Sequence, residues 1–180
     1  MSDDALMADD AMPYGLAVTT CNSLDFDGLI DSWQQLHTAL GQGTLWVLNV
    51  VRDIASAEVT ILEADNKGAR RQALARQKGA AQEATRIIGT YCVMSHDRGA
   101  MMLTSLGTAA KGLSEALIAR HRRFSRVTPP NLDFAAAAAR GALNDSATID
   151  AWPAEALAKA LLAMLEATSG RTFDEEWFTG

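Results

Sequence analysis

The chain is poor in the residues that impose covalent or backbone constraints. Cys21 and Cys92 are its only cysteines, too few for a disulfide framework, and they point to a reducing, cytoplasmic setting. Its four prolines fall at expected boundaries rather than inside apolar stretches. No uninterrupted apolar run approaches the roughly 18 residues a transmembrane helix needs. The opening "MSDDALMADDAMP" is acidic and lacks the basic-then-apolar order of a secretory leader. Signature loops are missing as well. There is no GxSxG, no GxGxxG and no GK[ST] phosphate loop, and "GTAAKG" resembles the last only faintly. The string "SHD" at 95–97 is not a triad, because adjacent residues point in different directions.

What is present is charge, unevenly spread. The net charge is −6 over 180 residues. Residues 1–66 carry one basic side chain, Arg52, and eleven acids, a balance of −10. Residues 67–126 carry twelve Lys or Arg against Glu83, Asp97 and Glu115, a balance of +9. Residues 127–180 return to −5. An acidic total therefore conceals a basic middle third.

Helical periodicity dominates. The stripe Phe26, Leu29, Trp33, Leu36, Leu40 resumes after "GQG" as Val47, Val50, Ile54, Ala57, Ile61, Ala64. This is the 3-4 alternation of a coiled-coil seam. The glycines of "GQG" predict the turn of an antiparallel hairpin. Two further stripes follow: Ala80, Ala84, Ile87, Tyr91, Met94, and Leu103, Leu106, Ala110, Leu113, Leu117. "SHDRG" between them predicts a turn, with Ser95 or Asp97 as cap. "YGLAVTT" near the start is β-prone and without a pairing strand, so residues 1–22 read as a disordered or extended acidic arm. Pro129 and Pro130 predict a linker over 128–131 that separates a long-helix bundle (23–127) from a C-terminal helical pair (132–170). Gly170 closes the last helix, and 171–180 form an acidic-aromatic tail. The expected fold is all-α, a bundle of five to six helices.

Candidate sites follow from these patterns. Val50 and Ile54 on the seam, with Phe173, Trp177 and Phe178 in the tail, read as partner-binding residues of a self-associating or adaptor protein. Two basic clusters compete for a phosphate or acidic-partner role. One is "KGARRQALARQK", in which Lys67, Arg70, Arg71 and Lys78 share a helical face; the other is "RHRRFSR", with Arg120, Arg122 and Arg123. A structural alternative pairs the first cluster with the chain's own acidic segments. The second cluster also suits a helix C-terminus, where cations oppose the dipole. Stacking aromatics are absent from the first, which weighs against nucleic acid, although it stays the alternative partner. A coat on a lipid or polymer surface, through "GAMMLTSLG", is a further alternative. Cys92 and His96 stand at i and i+4, and Glu58 and Glu63 recur nearby, but no pattern supplies a full ligand set. No metal and no cofactor is called for. The expected function is helix docking rather than chemistry.

Overall fold

A computed structural model of the chain describes residues 3–23, 26–94, 96–122 and 129–173. The protein is all-helical, with six helices packed as a bundle and no strand among the described residues. In order these are α1 (Asp3–Ser23), α2 (Phe26–Glu63), α3 (Lys67–Tyr91), α4 (Arg98–His121), α5 (Pro129–Thr148) and α6 (Trp152–Ser169). A short 3-10 turn, Cys92–Met94, follows α3.

α4 is the central helix. Its apolar positions Leu103, Leu106, Ala110, Leu113 and Leu117 are all fully buried. It runs antiparallel to α3 on one side and to α5 on the other, and α2 and α6 complete its surroundings. One continuous core extends from Tyr14 on α1 to Phe173 after α6. The turn between α3 and α4 forms as the sequence indicates, with the Asp97 side chain accepting from the Gly99 N–H at 2.8 Å. Asn66 caps α3 in the same way, accepting from Ala69 N–H at 2.8 Å. Gly170 ends α6 with φ of 71°, the left-handed cap that glycine adopts without strain. No helix among the described residues is long and apolar enough to cross a membrane.

Four expectations are corrected. Residues 3–23 are a helix rather than an extended arm. Tyr14, Ala17, Val18 and Cys21, spaced at 3, 4 and 7, turn one face of α1 into the core. The Tyr14 hydroxyl reaches Thr168 Oγ1 on α6 at 2.5 Å. Secondly, α2 does not break at "GQG" but continues for 38 residues. A glycine inside a helix costs about 1 kcal/mol against alanine. Gly43 is where Tyr91 and Leu103 press against the α2 backbone, so a side chain there would collide with both. The glycine thus marks a close crossing, not a turn. Thirdly, Pro129 and Pro130 open α5 instead of forming a linker, at positions where a missing N–H costs nothing. Lastly, Met94 leaves its stripe: the 3-10 turn takes it to the surface, 43% exposed.

Candidate functional site

The two seam residues predicted to bind a partner are covered inside the chain. Val50 is 3% exposed and Ile54 is fully buried, covered by the chain's own helices. Their expected role in self-association is therefore corrected: an exposed seam is needed, and this one is core. Phe173 is also buried, at 1% exposure, so the root of the tail folds back. Its N–H donates to Glu166 Oε1 at 3.0 Å, Arg140 donates to its carbonyl at 3.2 Å, and the Arg171 guanidinium lies over its ring. Trp177 and Phe178 lie outside the described residues.

The basic residues behave differently. The antiparallel packing of α3 on α4 brings the start of one beside the end of the other. Lys67, Arg70 and Arg71, from the first two turns of α3, thereby meet His121, from the last turn of α4, around one cleft. Ile61 of α2 and Leu74 of α3 supply its apolar lining, and its volume is about 310 Å³. His121 of the second basic cluster, some fifty residues further on in the sequence, thus meets three cations of the first at one end of the bundle. Lys78 is exposed further along α3, and Arg122 is exposed next to His121; neither lines the cleft. Arg123 lies outside the described residues.

Beside the cleft, His121 joins a buried polar cluster. Glu58 of α2 is fully buried. His121 Nε2 lies 2.8 and 2.9 Å from its two carboxylate oxygens. The imidazole nitrogen and the carboxylate thus share a hydrogen bond. Gln77 of α3 adds its Nε2, 3.4 Å from Glu58 and 3.1 Å from the Ile54 carbonyl. A buried carboxylate without such partners would be strongly destabilising. His121 is consequently fixed by Glu58 and holds the end of α4 against α2.

Ion pairing separates the cations of α3 into two groups. Arg76 reaches Asp53 at 3.8 Å and the Ser56 hydroxyl on α2. Arg86 pairs with Glu83, which also accepts from Trp46 Nε1 at 2.9 Å. Lys67, Arg70 and Arg71 form no ion pair with the described residues, and all three are exposed. The first turn of α3 contains no acid, and its helix dipole adds positive potential at that end. Pairing with the chain's acidic segments therefore accounts for Arg76 and His121, but leaves the cleft residues unmatched among the described residues.

The remaining candidates do not gather into sites. Cys92 is exposed in the 3-10 turn, where the helical register assumed for a shared face with His96 is lost. Cys21 is buried, and desolvation pushes its thiol up to about 11 despite the opposing influence of Arg52. This makes it a core residue rather than a nucleophile. Among the described residues no three His, Cys, Asp or Glu side chains come together as a metal site would require. A larger apolar groove, about 620 Å³, runs along the contact of α1 with α6 and is lined by Met12, Leu16 and Ala160 among others. Sequence reasoning missed the Glu58–His121 pair, although an acid at a seam position between Ile54 and Ile61 was the available signal.

Fold and cleft together define an all-α bundle with a basic cleft at one end. Comparison with protein-family models, with curated proteins and with solved structures finds no match for this chain.

Proposed function

We propose that this protein is a non-enzymatic helical docking module whose partner is an acidic protein segment, received at the cleft of Lys67, Arg70, Arg71 and His121. One observation carries this reading: three exposed cations surround one concavity and form no ion pair with the described residues, while their neighbours Arg76 and Arg86 are paired. Complementary charge would set orientation and on-rate, and burial against Ile61 and Leu74 would slow release. That apolar lining favours a peptide over a nucleic-acid backbone, which presents only phosphate and sugar to such a surface. The cytoplasmic setting expected from the two thiols accords with this reading.

The test is fluorescence anisotropy with a labelled glutamate-rich peptide and, in parallel, a labelled oligonucleotide. The peptide is expected to bind at low salt, with affinity falling about tenfold or more in the double variant Arg70→Glu/Arg71→Glu. If the peptide fails to bind, or binds the double variant equally well, the proposal is wrong. Preferential binding of the oligonucleotide would replace it with a nucleic-acid role.

A further inference from the structure

We infer that the cleft holds a phosphate monoester, carried as a phosphorylated serine or threonine on the acidic partner. This rests on the docking reading above and names the group that fills the site.

The first support is the amount of positive charge gathered at one concavity. Lys67, Arg70 and Arg71 line the cleft from one helix, and His121 lines it from another. Among the described residues no acid lines it. Positions 67, 70 and 71 stand at i, i+3 and i+4, spacings at which like charges repel. Glu63 and Asp65, just before α3, form no ion pair with them. The start of α3 adds the positive end of a helix dipole. A carboxylate brings one charge and two acceptor oxygens, and would leave most of this charge unmatched. A phosphate monoester brings about −1.5 to −2 near pH 7 and three strong acceptor oxygens. Two guanidiniums and an ammonium hold enough donors for all three, and arginine clusters are a general means of reading phosphorylated segments. A nucleic-acid phosphate, with a single charge, matches the same group of cations less well.

The second support is size and rigidity. The cleft's volume of about 310 Å³ lies at the small end of ligand pockets, which run from about 300 to 1,000 Å³. It suits one highly charged group with a neighbouring side chain better than a row of separate carboxylates. Ile61 and Leu74 form the apolar part of the lining, a place for an apolar residue next to the phosphorylated one. One wall is set in advance. His121 Nε2 lies within 2.9 Å of a carboxylate oxygen of the buried Glu58, and its side chain is only 11% exposed. The ring is therefore ordered before a ligand arrives, which lowers the cost of binding. Lys67, Arg70 and Arg71, all exposed, supply the charge.

The experiment is fluorescence anisotropy on the full chain with three labelled peptides that differ at one position. That position holds phosphoserine, glutamate or serine, followed by leucine and flanked by glutamates. The phosphoserine peptide is expected to bind about tenfold more tightly than the glutamate peptide, with the serine peptide weakest. Arg70→Gln/Arg71→Gln should abolish this preference. Lys78→Gln removes an exposed cation of the same helix that does not line the cleft, and should retain it. Circular dichroism on both variants checks that the helices persist. Equal affinity for the phosphoserine and glutamate peptides overturns the inference and leaves docking standing, whereas failure of all three peptides removes both. A preference that survives Arg70→Gln/Arg71→Gln, or is lost equally in Lys78→Gln, also overturns it, because the phosphate is then not held by the cleft. Inorganic phosphate, set against chloride at equal ionic strength, distinguishes the source. If it displaces the labelled peptide as efficiently as unlabelled phosphoserine peptide does, the ligand is a free phosphate and the assignment to a modified residue falls.

Discussion

Two levels of the same three helices invite comparison. At Gly43, α2 meets α3 and α4 through close apolar contact, Tyr91 and Leu103 against bare backbone. Fifteen residues on, about 22 Å along the axis, the same helices meet through Glu58, Gln77 and His121. The first level is held by shape and the second by hydrogen bonds among buried polar side chains. The difference extends to the surface, for it is the polar level that adjoins the cleft with unmatched cations. A level fastened by a few directed bonds tolerates neighbouring charge that a dry apolar crossing would exclude.

The comparison breaks most severely at the core between the two levels. Ile54→Asn combines loss of a fully buried side chain with a buried amide, and is expected to cost about 3–5 kcal/mol. Urea denaturation measures it. A variant that stays equally stable and only loses mass in light scattering would return Ile54 to an interface. Next is Glu58→Ala, which strips His121 and Gln77 of their shared acceptor. His121 reaches the edge of solvent, with a side chain 11% exposed, so the expected loss is about 2–3 kcal/mol, below that of a fully dehydrated pair. Glu58→Gln keeps an acceptor oxygen and should cost less; equal losses for the two would mean the hydrogen bonds are not the cause. Gly43→Ala tests the apolar level. The added methyl meets Tyr91 and Leu103, and about 1–3 kcal/mol of overpacking is expected despite alanine's better helix propensity. Stabilisation by this change would show that the crossing has room to yield. Smallest of all, Arg70→Glu/Arg71→Glu should change the unfolding free energy by no more than about 0.5 kcal/mol, as substitutions at exposed positions generally do. A larger loss would make the stripe a part of the fold rather than a free surface.

The apolar level was legible in the sequence because its signal is periodic. Val47, Val50, Ile54 and Ile61 recur at helical spacing, and every one is buried. The same holds for Leu103 to Leu117 on α4 and for Leu157, Leu161, Met164 and Leu165 on α6. Periodicity says which face is covered but not by what, so Val50 and Ile54 could be assigned to a partner when their own chain covers them. The glycines misled for a related reason. A turn and a close crossing both call for glycine, and only the tertiary neighbours Tyr91 and Leu103 decide between them. α1 was missed because β-prone "YGLAVTT" masked the spacing of Tyr14, Ala17, Val18 and Cys21. The cleft was half legible: the basic start of α3 was visible, but its meeting with His121 depends on α3 and α4 running antiparallel. The Glu58–His121 pair, 63 residues apart, had no local signature beyond an acid at a core position.

The contact of α1 with α6 bears on the order in which the protein can be made. Tyr14 and its partner Thr168 are 154 residues apart. At the 5–20 residues per second of translation, about 10–30 s pass before α6 exists for α1 to meet. Of the six helices, α1 waits longest for its full complement of neighbours. α2, which follows α1 directly, packs against it in the meantime, and α6 supplies the remaining cover for Tyr14. Closing the bundle at α1 and α6 is then a late event that seals a structure whose α2–α4 layer is already assembled.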